Sequence, residues 1–379
     1  MVTGAGWGDG TRCGRAGLPA PAAGEPFLPP PVFAAPFHLG AGDSPFFYGA
    51  NDNPTWRTLE AALGELDGGE CVLFPSGMGA IATVLQTLTE PGDPVVLPGD
   101  GYYLARQLMA ESLPDRPVRY VPTAAEWTPE LVAGAVLVLV ETPANPGMDV
   151  CDIAAVAALA HDAGALLAVD NTTATPLGQR PLALGADISL ASDTKALSGH
   201  SDVVLGHVSF ADPALAAPIR TARRQRGLAP GPFEAWLAHR GLGTLDLRLA
   251  RQAQNAAALV DALRGHPLVT GLRWPGSPDD KDHELAKRQM RRFGGVFSFV
   301  LPSREAVEAF VAGSALLTAA TSFGGLHSSV DRRAQWGDPV PPGFVRFSCG
   351  TEDTADLVAD VLASLDRVQS AGSLDRAAR

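Results

Sequence analysis

Ser192-Asp193-Thr194-Lys195-Ala196-Leu197-Ser198-Gly199-His200-Ser201-Asp202 follows the apolar run Ala186-Asp187-Ile188-Ser189-Leu190-Ala191, and the reading of this junction decides the fold. The run reads as a short buried strand. A lysine just past such a strand, between small hydroxyl residues, has two readings. It is a solvated charge in a Ser-rich loop, or it forms a Schiff base with pyridoxal phosphate while Ser192 and Thr194 hold the phosphate. The loop alone leaves both open.

Upstream, strand and helix alternate. Cys71–Phe74, Pro94–Leu97, Val118–Val121, Ala135–Val140 and Leu166–Val169 read as short, nearly continuous apolar strands. Helices are expected after Thr55, over Ala80–Thr89, near Tyr103–Leu113 and over Ile153–Ala163. Such strands separated by helices indicate a mostly parallel sheet covered on both faces. Ligands of these sheets sit at the carboxyl ends of the strands. There the chain places Ser76-Gly77-Met78, then Glu141 and Asn145, Asp170-Asn171-Thr172, and Ser192 to Lys195. The small-residue turn at Ser76–Met78 leads into a helix, whose first N–H groups suit a phosphate.

Downstream the pattern changes. A basic loop, Arg220 to Arg226, precedes one long helical segment from Phe233 to Leu263. Strands at Val269–Arg273, Val296–Leu301 and Phe344–Ser348, with helices at Arg304–Val311 and Asp353–Val368, indicate a smaller α+β domain. Residues before about 45 carry Pro29-Pro30-Pro31 and Pro36, which forbid regular helix and predict an extended arm that lies on a partner or stays loose.

A formal net charge of −12 argues against nucleic acid or an anionic membrane surface as a partner. Cys13, Cys71, Cys151 and Cys349 are far apart and suggest neither a metal site nor a disulfide framework. No apolar run spans a bilayer and no secretory leader is visible, so a cytoplasmic protein is expected.

The ordered set of motifs resembles the transsulfuration branch of the Cys/Met metabolism PLP-dependent enzymes. The landmarks are Tyr48…Asn53-Pro54-Thr55, Ser76-Gly77-Met78, Glu141-Thr142-Pro143-Ala144-Asn145-Pro146, Asp170-Asn171-Thr172, the Lys195 loop, Arg240–Leu245, Ser322-Phe323-Gly324-Gly325 and Arg346–Gly350. The resemblance implies an α/β, fold-type I PLP-dependent transferase-like architecture. It comprises an extended arm (1–50), a PLP-binding large domain with a mostly parallel seven-stranded sheet (51–245) and a smaller C-terminal α+β domain (246–379).

It also implies roles. Lys195 carries the cofactor and moves protons. Asp170 partners the pyridinium nitrogen, and Ser76, Gly77, Met78, Ser192 and Thr194 hold the phosphate. Tyr102 stacks on the ring, with Tyr103 its rival for that place. Asn145 touches cofactor or substrate, Arg346 clamps the substrate α-carboxylate, and Ser322, His327 and Tyr48 complete the substrate site. Tyr48 is expected to reach a neighbouring subunit of a homotetramer built as a dimer of dimers. His200 is expected to be a structural hydrogen-bonder. No metal is implied.

Three departures stand out. Ala50 occupies the position of the arginine by which family members reach a neighbouring subunit's PLP phosphate, a loss of about 1.5–3 kcal/mol unless Arg57 replaces it. His327 stands where cystathionine-cleaving members carry a glutamate for the substrate's distal ammonium. Leu104 falls near the cysteine that marks methionine γ-lyases. The segment Leu326–Ser329 with Arg332-Arg333-Ala334-Gln335-Trp336 is similar to an actinobacterial branch of cystathionine γ-lyases. The expected activity is γ-elimination from an amino-acid thioether, cystathionine foremost. β-Elimination, γ-replacement, a specialised biosynthetic carbon–sulfur lyase and a weakly catalytic PLP-binding protein are the alternatives.

Overall fold

The computed structural model describes residues 6–40 and 44–377. Residues 1–5 and 41–43 of the expected arm and 378–379 of the expected small domain lie outside that range.

Seven strands form the larger sheet: β1 (Glu70–Phe74), β2 (Val95–Pro98), β3 (Val118–Val121), β4 (Leu137–Glu141), β5 (Leu166–Asp170), β6 (Ile188–Ala191) and β7 (Gly206–Phe210). Their order is β1-β7-β6-β5-β4-β2-β3. All pairings are parallel except those of β7, which runs antiparallel to β1 and β6. Strands β2, β4, β6 and β7 are buried along their whole length, as a sheet covered on both faces requires. One apolar layer, including Phe74, Leu97, Leu139, Leu190 and Val208, packs under helix Gly77–Thr87; another, around Val138, Val140, Leu167 and Val169, packs under helix Ile153–Asp162.

A second sheet is built from β8 (Thr270–Arg273), β9 (Val296–Val300), β10 (Thr318–Ala319), β11 (Ser329–Arg332) and β12 (Phe344–Ser348), in the order β10-β11-β12-β9-β8. Phe297, Phe299 and Phe347 stack in its core against helices Leu245–Leu263 and Thr354–Ala377.

Several expectations need correction. The long helix from Phe233 to Leu263 is two helices, Pro232–Leu242 and Leu245–Leu263, separated at Gly243-Thr244. A Cβ on Gly241 would stand 2.6 Å from the Ser198 carbonyl oxygen, so the first helix meets the Lys195 loop through backbone. The basic loop is helical over Ala216–Gln225. Its Arg223, 4% exposed, donates to Glu60 at 2.7 Å, so this charge is internal rather than solvated.

Part of the N-terminal region is folded onto its own chain. Asp9–Arg15 is a helix, with Cys13 and Ala16 in the core beside Leu59 and Leu245. The buried Asp9 carboxylate pairs with Arg180, Arg291 and Arg292. Farther along, Trp236 Nε1 donates to Pro29 O at 3.0 Å and Asn53 Nδ2 to Val32 O at 2.9 Å.

Candidate active site

The carboxyl ends of β1, β4, β5 and β6 open into one cavity of about 350 Å³. At its floor, β1 passes through Pro75 into helix Gly77–Thr87, which Ser76 caps by accepting from Gly79 N–H at 3.0 Å. Backbone approach is close here. A Cβ on Gly77 would lie 2.8 Å from Ser192 Cβ, and one on Gly206 would lie 2.6 Å from Gly77 N. These contacts bring the helix N-terminus, whose first N–H groups have no acceptor within the helix ladder, against Ser192 and Thr194. Ser76, Gly77, Met78, Thr172, Ser192 and Thr194 all line this end. Thr194 Oγ1 also donates to Leu205 O and accepts from Leu205 N–H, each at 3.2 Å, which fixes the turn around Lys195.

The loop carrying Lys195 is held from beneath. The buried Arg248 guanidinium donates to the carbonyl oxygens of Ala196 at 2.6 Å, Leu197 at 3.2 Å and Gly241 at 2.8 Å. On the other side, Asp193 Oδ1 lies 2.6 Å from His207 Nδ1, and His207 Nε2 lies 2.8 Å from Asp67 Oδ2. Lys195 Nζ donates to Ser322 Oγ at 3.1 Å and sits 5.4 Å from the Phe323 ring centre. Burial, with the charges of Arg346 and Arg333, pushes its ammonium down to about 8.

Asp170, at the end of β5, is buried and accepts from Thr172 N–H at 2.9 Å. Burial raises its pKa, against that hydrogen bond and the charges of His207 and Lys195. Glu141 lines the cavity beside it and accepts from Tyr102 N–H at 2.6 Å and Asn145 N–H at 2.9 Å. Burial and then the charge of Asp170 push its carboxyl up to about 8. Tyr102 and Tyr103 both line the cavity, edge to face at 5.3 Å, and burial raises the Tyr102 phenol.

Arg346 enters from β12. Its Nη1 donates to Asn145 Oδ1 at 2.7 Å and its Nη2 to Asp331 Oδ2 at 3.0 Å, and burial pushes the guanidinium down to about 10.

Of the residues expected from sequence, the cavity gathers Ser76, Gly77, Met78, Tyr102, Asn145, Asp170, Ser192, Thr194, Lys195 and Arg346, with Ser322 bonded to Lys195. Two lie apart. Tyr48 is 50% exposed, and His327 is exposed on the surface; neither lines the cavity. Arg57 Nε donates to Asp52 Oδ2 at 2.8 Å, and Arg57 does not line this chain's own cavity. His200 Nδ1 lies 2.6 Å from Ser198 O, a local loop contact. The sequence places Glu141 at the ligand end of its strand without a role, and Arg333 and Trp336 were left out of the site. Glu141 followed a buried strand as Asp170 does, which was the available signal.

The donor set fits pyridoxal phosphate. A helix N-terminus with two hydroxyls suits a dianion, a buried carboxyl suits a pyridinium nitrogen, and a lysine lines the same cavity. Gly206 gives a test of the phosphate end. Gly206→Ala pushes a methyl group into the Ser76–Gly77 backbone. Equilibrium dialysis is expected to show pyridoxal phosphate affinity lowered by at least about tenfold, the cost of disturbing one charge-assisted hydrogen bond. Unchanged affinity would show that this contact does not shape the cradle.

The family profile described as Cys/Met metabolism PLP-dependent enzyme matches residues 34–366. A protein of Streptomyces coelicolor, provisionally named cystathionine gamma-lyase, is 51% identical over 370 residues, covering 95% of this chain and 94% of its own. A cystathionine gamma-synthase of Mycobacterium bovis is 37% identical over 374 residues, covering 93% and 96%. The solved cystathionine gamma synthase of Xanthomonas oryzae superposes with a TM-score of 0.91 at 35% identity, covering 96% of this chain and 99% of that one.

Proposed function

The chain belongs to the Cys/Met metabolism PLP-dependent enzymes, and from that membership we propose that it is a cystathionine γ-lyase. The reaction is L-cystathionine and water to L-cysteine, 2-oxobutanoate and ammonia. The observation that carries this reading is the convergence of Lys195, Asp170, Tyr102 and Arg346 on one cavity. The name of the Streptomyces coelicolor relative supports the choice of γ-elimination within the family.

Pyridoxal phosphate, held at its phosphate by Ser76, Gly77, Met78, Ser192 and Thr194 and at its ring nitrogen by Asp170, supplies an electron sink for negative charge at Cα. The chain's own groups do the rest. Arg346, positioned by Asn145 and Asp331, grips the α-carboxylate with its planar fork. Lys195, with an ammonium near 8, is available as a base close to neutral pH and takes the Cα proton. Lys195 gives up that proton and takes a second one from Cβ, after which the γ-sulfur departs. Burial keeps the Tyr102 phenol protonated, which suits it to give the sulfur its proton. Ser322 Oγ accepts from Lys195 Nζ at 3.1 Å and so positions it.

Catalysis in a homotetramer is part of the same reading. Tyr48, half-exposed, and Phe33, 70% exposed, are free to meet another copy, and a cytoplasmic location follows from the metabolic role. Among the described residues no helix is long and apolar enough to cross a membrane.

Product analysis on L-cystathionine tests the proposal. Cysteine with 2-oxobutanoate is the expected outcome. Homocysteine with pyruvate would replace it with a β-lyase. Cystathionine formed from cysteine and an activated homoserine, with no cleavage, would replace it with a γ-synthase.

A further inference from the structure

The cavity's small-domain wall is built by a segment with no role in the reading above. After β11, Arg333–Trp336 makes a single turn that ends at Gly337, whose φ of 83° reverses the chain. Asp331, 2% exposed, is the hub. Its Oδ2 accepts from Arg346 Nη2 at 3.0 Å and from Arg333 Nη1 at 2.9 Å, and its Oδ1 accepts from Trp336 Nε1 at 2.9 Å. Asp338 accepts from Arg333 Nε at 2.7 Å. Arg333 thus stands one carboxylate beyond the α-carboxylate clamp, and both it and Trp336 line the cavity.

The placement of charge is one-sided. Asp331 and Asp338 lie behind the wall and do not line the cavity, whereas Arg333 and Arg346 do. The acids that line it, Glu141 and Asp170, are at the ends of β4 and β5 and already accept backbone N–H groups. His327, where a distal carboxylate was the family expectation, is exposed and away from the cavity. A substrate arm reaching past Arg346 within this cavity therefore meets a guanidinium and an indole, and among the described residues the cavity's acidic lining is confined to Glu141 and Asp170.

We propose that Arg333 and Trp336 form a distal subsite that reads a second carboxylate on the substrate and gives no purchase to a second ammonium. The substrate class is an α-amino acid thioether whose distal arm ends in a carboxylate. This deepens the γ-lyase reading and rests on it. A guanidinium has five N–H donors, so donors remain on Arg333 beyond those given to Asp331 and Asp338. Trp336, pinned through Nε1, offers a flat apolar face to the methylenes of the arm.

Three compounds test it on the unaltered holoenzyme: L-cystathionine, S-(2-carboxyethyl)-L-homocysteine, which lacks the distal amine, and S-propyl-L-homocysteine, which lacks amine and carboxylate. With 2-oxobutanoate as the readout, losing the amine is expected to change kcat/KM less than about threefold. Losing the carboxylate is expected to lower it about 10- to 100-fold, the range of one charge-assisted hydrogen bond. In Arg333→Gln the carboxyethyl-to-propyl ratio is expected to fall toward one. Equal values for those two compounds with the unaltered enzyme, or a tenfold loss on removing the amine alone, would overturn the subsite. No 2-oxobutanoate from any compound would bring down the γ-lyase reading instead. In that event calorimetric dissociation constants on the same holoenzyme decide the subsite, with the same order expected and equal affinities for the carboxyethyl and propyl compounds refuting it.

Discussion

Lys195→Ala is expected to lower the rate of carbon–sulfur cleavage by at least about 10³-fold while leaving the protein folded. The kinetic part follows from the two tasks assigned to this side chain, holding the cofactor and moving the Cα proton. Alanine performs neither. The stability part follows from its surroundings. Lys195 is partly buried, its Nζ bonds Ser322 Oγ, and among the described residues it makes no salt bridge. Burial has pushed its ammonium down to about 8, so removing it relieves an unfavourable charge rather than breaking an ion pair. With the cofactor removed from both, a melting temperature equal to or above that of the parent is expected, since bound cofactor would stabilise the parent alone. The other lysines of the chain are Lys281, paired with Asp149 at 2.7 Å, and Lys287, and neither lines the cavity. Borohydride reduction of the parent holoenzyme followed by peptide mapping is expected to find the cofactor on the Lys195 peptide alone. Cofactor found on Lys281 or Lys287, or activity kept within tenfold in the variant, would refute the assignment.

Much of this arrangement was legible because the larger sheet is covered on both faces. Its strands β2, β4, β5 and β6 are apolar nearly throughout, so they announce themselves, and the polar residues that end them point to the site. Asp170 and Ser192 were found that way. What escaped was held by partners distant in sequence. Strand β7 alternates Val208 and Phe210 with His207 and Ser209, and those polar residues are internal only because Asp67, on helix Pro54–Asp67, receives both. Helix Ala216–Gln225 read as a basic loop because its arginines find Glu60 and Glu70 across the fold. Helix Asp9–Arg15 read as a loose arm because the arginines around Asp9 come from residues 180, 291 and 292. Arg333 and Trp336 were legible as a motif, but their place at the cavity depends on Asp331 bridging to Arg346.

His207→Ala is expected to be among the most destabilising single changes in the molecule. The imidazole is 1% exposed and sits between Asp67 and Asp193, whose carboxylates are equally buried. Burial alone disfavours a charged ring, but the charges of Asp193 and Asp67 overcome it and hold the imidazolium up to about 10. Alanine leaves two buried carboxylates without their cation. Removing one partner of a buried ion pair costs about 3–5 kcal/mol, a large share of the roughly 5–15 kcal/mol that holds a typical protein together. The pH dependence has a definite sign. The folded pKa lies above the ordinary value of 6.5, so this stabilisation is complete below about pH 6.5 and is lost as pH rises through about 10. The parent is therefore expected to lose melting temperature between those limits, and the variant to lack that component of the slope. A consequence for the site follows, because Asp193 lies between Ser192 and Thr194 and next to Lys195. With its anchor gone, the loop that presents all three side chains rests on Arg248 and Leu205, and pyridoxal phosphate affinity is expected to fall along with stability. His207→Ala melting within a degree of the parent at pH 7 would show that the histidine is not the counter-ion of the two carboxylates.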